Sequence, residues 1–559
     1  MGFNDLLEKV GGVGRFQILN TAMLLLPMFY MACHNFLQNF SAAVPAHRCK
    51  VPLIDNGTTG YNHGAVISFI PVIENQKLVS CLRYKNAQFG IWTNNSSANV
   101  TEPCEDGWVY DKTIFSSTVI TEWDLVCNFQ KMKQIAQSIY MAGVLVGAVL
   151  LGGLSDRFGR KKLLIGSYLA MALFGTCVAF LPKFVYYCIF RFLCGMAFSG
   201  IALNTISLIL EWMPPKGRTV AGTLFAYSFT VGQVQLAGLA YAIRDWRWLQ
   251  FTVSAPYYLF FLYSWTILES SRWLIMKGKT RQALKDLQRV ARINRKKTDG
   301  EKLSEKVILL FMCISMKQVN RSHSPMDLIR TPGLRRVTIC LLLVWFSTSF
   351  VFYGLSTDLQ KFDMSIFLLQ LVFGGVDIPA KLLCAISMSH LGRRVTQCAC
   401  LILAGVTMLA IAFVPQGLKT LRIVLAVLGK GFVGGSFSCA YLYSGELFPT
   451  VLRQTGMGVV AMNARLGSMI APLVLMLWEI SPILPCAIYG VAAIISGIAA
   501  IFLTETRNQQ LPDTVEDIHR NVYKQVLAVK RGPNVESMTC LQRLFGIFCF
   551  SISSFSMHF

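Results

Sequence analysis

Residues 211–222 read EWMPPKGRTVAG and residues 446–458 read ELFPTVLRQTGMG, and each stretch closes a long apolar segment. Glu211, Pro214 and Arg218 recur as Glu446, Pro449 and Arg453 at one constant offset (446 − 211 = 235). The same spacing places Asp156-Arg157-Phe158-Gly159-Arg160 near Gly392-Arg393-Arg394, and Glu269-Ser270-Ser271-Arg272 near Glu505-Thr506-Arg507. Two copies of one membrane unit in the same orientation are the mark of a carrier whose halves rock about a central site.

The composition agrees. Of 559 residues, 54% are hydrophobic and 14% charged, whereas soluble domains carry about 25% charged residues. Apolar runs of bilayer-spanning length fall at 17–37, 134–153, 163–181, 184–210, 219–242, 247–268, 337–356, 366–389, 396–414, 420–445, 454–478 and 482–503. They lack strand alternation, and hydrocarbon offers no partner for an open backbone group, so they are expected as twelve helices, six per half. The first run continues into Cys33-His34-Asn35 with no small-residue cleavage site and is expected to be retained.

Lys and Arg flank the cytoplasmic ends of spans. Arg157, Arg160, Lys161, Lys162, Lys216, Arg218, Arg393, Arg394 and Arg453 all fall on one side if both termini are cytoplasmic. The segment 269–336 is dense in Lys and Arg and belongs on that side, facing anionic lipid. The net charge of +23 is therefore a topology signal, and no nucleic-acid partner is expected. The expected division is a cytoplasmic 1–16, a first half 17–268 containing an external loop 38–132, the basic loop 269–336, a second half 337–504 and a cytoplasmic tail 505–559.

The 38–132 segment carries glycosylation sequons at Asn39, Asn56, Asn94, Asn95 and Asn99. Its cysteines, Cys49, Cys81, Cys104 and Cys127, are expected to form two disulfides, with all three pairings open. It reads as a glycosylated external cap on a surface membrane. Cys188, Cys194, Cys384 and Cys439 fall in helices and read as packing residues. No metal-ligand spacing, catalytic triad or phosphate loop stands out, so neither enzyme chemistry nor a cofactor is expected.

Gly152-Gly153-Leu154-Ser155-Asp156-Arg157-Phe158-Gly159-Arg160-Lys161-Lys162 resembles the loop signature of the major facilitator superfamily. STVITEWDLVC (117–127), ESSRWL (269–274) and ELFPTVLRQTGMG resemble the organic ion transporters of solute carrier family 22. EKVGGVGRFQI (8–18), ACHNFLQNFSAA (32–43), GGVDIPAKL (374–382), VLGKGF (427–432) and MNARLGSMIAPL (462–473) resemble its organic anion branch. The resemblance covers roughly residues 1–520 and implies an all-α membrane protein of the major facilitator fold. The apolar ending 544–559 departs from the polar ending usual in these transporters.

Ionisable groups inside spans are costly and call for a partner or a purpose. Asp377 and Lys381 in the eighth span, Lys430 in the tenth and Arg465 in the eleventh set three cations against one carboxylate, which favours an anionic solute. Asp377 and Lys381 share a helix face and can neutralise each other. Arg465 has no acid at helical spacing, and its planar fork suits a carboxylate or sulfate. Lys430 lies between Gly429 and Gly431, where helix packing or gating competes with substrate contact.

The resemblance places Lys381 and Arg465 at basic positions of the anion branch and Tyr227, Trp345, Tyr353, Phe437, Tyr441, Met31 and Asn35 at cavity-lining positions. His34 reads as a hydrogen-bonded structural group. Asp156, Arg157, Arg160, Glu211, Arg218, Glu269, Arg272, Glu446 and Arg453 lie at cytoplasmic helix ends, where ion pairs can latch the halves in an outward-open state and break as it turns inward. The resemblance further implies uptake of steroid sulfates, prostaglandins, urate or similar anions in exchange for an intracellular dicarboxylate such as 2-oxoglutarate. Two rival readings are a zwitterion or cation carrier, which needs acidic cavity groups, and a non-transporting receptor that binds through its cap. The oligomeric state is not encoded in any pattern found.

Overall fold

A computed structural model describes residues 3–51, 55, 70–73, 77–84, 100–296, 327–357, 359–362, 364–415, 417–449 and 452–507. Its first half contains α1 (Arg15–Phe36), α2 (Met132–Phe158), α3 (Arg160–Phe180), α4 (Phe184–Trp212), α5 (Pro215–Ala242) and α6, split into Trp246–Ser254 and Pro256–Ser264. The second contains α7 (Pro332–Ser356), α8 (Ile366–His390), α9 (Arg393–Phe413), α10 (Lys419–Leu447), α11 (Arg453–Leu475) and α12 (Ile483–Ile501). Ten of these are long and apolar enough to cross a membrane, and α5 and the interrupted α6 complete the twelve.

The duplication is visible in the packing. In the first half α1 packs on α5, α2 on α4, and α3 on α4 and α6; in the second, α7 packs on α11, α8 on α10, and α9 on α10 and α12. Across the halves α2 meets α11 and α8 meets α5, an exchange that a pseudo-two-fold axis requires. Small residues permit the closest approaches: a Cβ on Gly143 would collide with the Phe192 carbonyl, and one on Gly195 with that of Tyr140. Pro27 inside α1 has no N–H for the Met23 carbonyl four residues back, and the Tyr263 hydroxyl donates to that oxygen at 2.6 Å instead.

Away from the cap, each half carries the same carboxylate clamp. Gly159, φ 106° and ψ 151°, joins α2 to α3, and the Glu269 carboxylate accepts from the amides of Arg160 (3.1 Å) and Lys161. Gly392, φ 97°, joins α8 to α9, and Glu505 accepts from the amides of Arg393 (2.9 Å) and Arg394 (3.0 Å). The clamped residue is an N-terminal helix position in both, where open N–H groups and the helix dipole favour a carboxylate. Glu505 is thus part of the second half rather than of a separate tail.

The basic segment contributes helices Ser271–Met276 and Thr280–Ile293, and residues 297–326 lie outside the described ones. Ala283, Leu287, Val290 and Ala291 pack under the first half with Leu6 and Leu7 of the short helix Phe3–Lys9 and with Val10 just after it. Asn294 locks this base: its Oδ1 accepts from Phe16 N at 2.9 Å, and its Nδ2 donates to Val10 O and Gln17 Oε1.

The cap is made of two-stranded antiparallel pieces. β1 (His47–Cys49) pairs with β6 (Trp108–Tyr110), β2 (Val72–Ile73) with β3 (Lys77–Leu78), and β4 (Leu82–Tyr84) with β5 (Thr101–Pro103). The disulfides join Cys49 to Cys104 and Cys81 to Cys127, selecting one of the three open pairings. Arg48 and Asp55 form a two-bond ion pair, both contacts at 2.8 Å, and the guanidinium holds the Asp55 carboxyl below its ordinary range. Few apolar residues are buried among the described residues of the cap, so cross-links should dominate its stability, and removing one typically costs about 2–5 kcal/mol. Cys49→Ser or Cys81→Ser is expected to lower mature surface protein severalfold at unchanged half-saturation. Surface labelling beside uptake kinetics checks this, and a normal surface signal with altered half-saturation would contradict it.

The Asn39 sequon is corrected. Asn39 lies in the short helix Gln38–Ser41, is 3% exposed, and donates through Nδ2 to Ser356 O at 2.7 Å. The nitrogen that would carry a glycan is spent on a contact between the halves. Asn56, Asn94, Asn95 and Asn99 lie outside the described residues.

Candidate functional site

Arg465 lies mid-way along α11, the helix that meets α2. The residue is partly exposed, and its guanidinium makes no hydrogen bond or ion pair with a described residue and lies in the electrostatic field of the Tyr441, Tyr353 and Tyr140 hydroxyls. A cation surrounded by phenols and supplied with no carboxylate keeps its fork available. Tyr441 is 58% exposed and Tyr353 partly exposed, and both lie in the field of Arg465; Phe437, also partly exposed, meets the Trp345 ring that holds Tyr441.

Trp345 is corrected from a lining residue to a support. It is 1% exposed, donates from Nε1 to Ser444 Oγ at 2.8 Å, and holds Tyr441 edge-on at 4.6 Å. Met31 and Asn35 are likewise buried, Met31 in the first-half core. Asn35 Nδ2 donates to Tyr353 Oη at 3.1 Å, so it orients a ring rather than presenting itself. His34 is fully buried with Nε2 3.4 Å from Ser254 Oγ, the structural placement expected of it.

The cations of the second half point in different directions. Lys381 crosses to α5, where Nζ donates to Thr230 Oγ1 at 2.6 Å and Ala226 O at 3.3 Å and lies 5.8 Å from the Tyr227 ring centroid. Asp377 turns the other way, toward Gly434 of α10, and its buried Oδ1 has no partner. The four-residue spacing therefore does not yield an ion pair here: no Asp377–Lys381 contact within 4.0 Å is present, and the ammonium is taken by the neighbouring helix. Lys430 is fully buried, donates to Ser356 Oγ at 2.9 Å, and caps the Phe352 ring at 3.1 Å from its centroid. Phe352 in turn meets Phe437 edge-on at 5.2 Å, so Lys430 supports the aromatic wall.

The charges at the far ends pair within each half. Arg160 contacts Asp156 at 2.8 Å and Glu211 at 3.4 Å, and Arg393 contacts Glu446 at 3.2 Å. Arg218 and Arg453 each donate to a carbonyl five residues back, Met213 O and Phe448 O. Arg157 stacks on Phe158, and Arg272 is exposed. Among the described residues no ion pair joins the halves at this side.

The cap side is different. Lys131 pairs with Glu479 at 3.1 Å; Gln360 exchanges hydrogen bonds with both backbone groups of Val44; and Phe367 contacts Phe40, Phe115 and Tyr241.

Sequence reasoning missed Arg191, Tyr140 and Thr230. Arg191 was legible by the rule that found the others, as a charge seven residues into α4 (191 − 184 = 7).

Known proteins with this architecture define the class. The chain superposes on the xylose transporter XylE from E. coli, solved in a partially occluded inward-open conformation, with a TM-score of 0.59 at 14% identity, over 89% of this chain and all of that one. The fold is that of the major facilitator superfamily. Residues 59–517 match the family described as "Sugar (and other) transporter", so the molecule is a multi-pass membrane carrier and not an enzyme.

It is 52% identical over 526 residues to mouse solute carrier family 22 member 20, covering 93% of this chain and 95% of that one. It is 49% identical over 558 residues to Xenopus laevis solute carrier family 22 member 6-A, covering 98% of each. Human organic anion transporter 3 is 47% identical over 536 residues, covering 96% and 97%. The chain belongs to solute carrier family 22.

Proposed function

We propose that this chain carries amphipathic organic anions across the plasma membrane by alternating access, in exchange for an intracellular dicarboxylate. The observation that carries the reading is Arg465: a partly exposed residue whose guanidinium has no described partner and lies in the field of the Tyr353 and Tyr441 hydroxyls. Its fork binds a carboxylate or sulfate with two charge-assisted bonds, and the rings cover the apolar body of the solute. The similar human protein is named an organic anion transporter, which supports this choice of family branch. The cation reading loses its only candidate carboxylate, because Asp377 is 2% exposed and turned toward α10.

Bonds between the halves on the cap side, with charge pairs confined to each half on the other, fit an inward-facing state with cytoplasmic termini. The Arg160–Glu211 and Arg393–Glu446 groups are then free to exchange partners across the halves when the carrier turns outward. A small bias from such half-buried pairs is enough, because the two states of a carrier lie within a few kcal/mol of each other.

Proteoliposomes holding the purified chain test the reading. Uptake of a labelled organic anion should rise severalfold when 2-oxoglutarate is loaded inside, and a labelled organic cation should not enter. Uptake indifferent to the internal dicarboxylate would remove the exchange step, and absent anion uptake would remove the whole proposal.

Lys381 supplies a second, sharper test. If its ammonium leaves Thr230 to meet a second carboxylate, Lys381→Ala should reduce dicarboxylate uptake about tenfold, with a smaller loss for monocarboxylates. Adding Asp377→Asn should not restore it, since the two side chains form no pair. Recovery of both substrates in the double variant would return Lys381 to a neutralising role.

A further inference from the structure

The cap-side end of the second half holds a cleft separate from the surface around Arg465. It encloses about 410 Å³, its open mouth counted, among the ends of α7, α9, α10, α11 and α12. Leu355, Met408, Ile411, Leu475 and Pro485 line it with the ring of Tyr489. The Tyr489 hydroxyl is spent on Ala471 O at 2.6 Å, and Gly354, where a Cβ would stand 2.5 Å from the ring, lets the aromatic plane close the cleft. Leu475 is ten residues beyond Arg465 on α11 (475 − 465 = 10), about 15 Å along the helix.

Two cations stand in this apolar lining. Arg422, in the first turn of α10, is half-buried, and its guanidinium makes no hydrogen bond or ion pair with a described residue. Lys361, on the short turn Leu359–Phe362, sets Nζ 4.4 Å from the Trp478 ring centroid, and both cations lie within electrostatic reach of the Cys486 thiol. Among the described residues no acid lines the cleft; Glu479, beside Trp478, pairs with Lys131, and Asp358 and Asp363 lie outside the described residues. An arginine that only anchors a helix end in the interface keeps its head group in water. The Nε of Arg422 is instead sealed from solvent with its donor unspent, a costly arrangement unless a ligand accepts from it.

We propose that this cleft binds a single-chain amphiphile with a carboxylate head, a long-chain fatty acid taken from the cap-side leaflet. The carboxylate accepts from the side edge of the Arg422 guanidinium, Nε and one Nη, and the Lys361 charge reinforces the sign of the site. Trp478, Tyr489 and the aliphatic residues cover the chain next to the head. The volume falls in the range of pockets that hold one small ligand, about 300–1,000 Å³. Phe413, Leu421 and Ile483, on the same ends of α9, α10 and α12, are exposed and apolar, which sets the cleft at the level of the bilayer and makes the membrane the source of its occupant.

Fluorescence quenching of Trp478 in the purified full chain, held in nanodiscs of neutral lipid, tests the site. The quenchers are a long-chain fatty acid brominated along its chain and the methyl ester of the same acid, and subtracting the Trp478→Phe variant isolates the one signal. The acid should half-quench at a membrane content about tenfold lower than the ester, the difference that one charge-assisted contact makes. Arg422→Gln should bring the acid to the level of the ester, and Arg465→Ala should keep the wild-type difference. Equal quenching of the wild type by acid and ester overturns the proposal whether or not Arg422→Gln folds. So does a difference lost in Arg465→Ala but retained in Arg422→Gln, or protection of Trp478 by an acidic phospholipid and not by the unbrominated acid.

Discussion

Arg465→Ala is expected to remove most organic anion uptake while surface abundance stays normal. The guanidinium has no described partner to leave behind, so truncation strands no buried acid and should not destabilise the fold. A lost charge-assisted hydrogen bond is worth about 1.5–3 kcal/mol, or one to two powers of ten in transport efficiency. Arg465→Lys should recover part of it, because a point charge replaces the attraction but not the two-bond geometry. Concentration-dependent uptake beside surface biotinylation measures both quantities. Normal transport by a normally delivered Ala variant would remove Arg465 from the site.

Gly159→Ala should be strongly destabilising. With φ at 106° and ψ at 151°, the residue occupies a region nearly reserved for glycine, and other residues there are strained by about 1–3 kcal/mol. The added Cβ would also strike Glu269 Oε2, pushing the carboxylate off the Arg160 and Lys161 amides. Loss of those charge-assisted bonds adds about 1.5–3 kcal/mol. Gly392→Ala repeats the experiment in the second half, with its Cβ 2.6 Å from Glu505 Oε2. Both variants should melt well below the wild type in detergent, and Glu269→Gln should melt between them and the wild type. An unchanged melting point in Gly159→Ala would show that the α2–α3 turn relaxes without the clamp.

The twelve-helix architecture was legible because two-half duplication leaves copies of the same charged ends. Gly159 and Gly392, and Glu269 and Glu505, recur because each performs the same backbone task twice, and Glu211 and Glu446 recur as the side-chain partners of Arg160 and Arg393. Side-chain direction was less legible. Helical spacing places Asp377 and Lys381 on one face, but it does not register that α5 offers Thr230 to the lysine while α10 covers the aspartate. Trp345 and Asn35 occupy positions that face the site, yet neighbouring rings bury them; only packing between helices far apart in sequence decides that. Asn39 satisfied a three-residue pattern that ignores burial. Arg191 was visible as a charge within an apolar run and was simply outweighed by the cations of the second half.

The order in which the cap cysteines leave the ribosome carries its own consequence. The two cross-links overlap along the chain, Cys49 to Cys104 and Cys81 to Cys127, with sequence separations of 55 and 46. Once Cys104 has emerged, its nearer partner is Cys81 (104 − 81 = 23), and chain entropy favours the shorter ring by roughly 0.6 kcal/mol per halving of length. That ring is a wrong one. Escape from it requires thiolate attack and exchange; the β4–β5 register, with Leu82 opposite Pro103, sets Cys81 beside Cys104 and favours the wrong ring, while the pairing of β1 with β6 draws Cys49 toward the Cys104 segment. Maturation of this carrier should therefore be paced by disulfide isomerase supply during synthesis, well before any helix of the second half exists to be inserted.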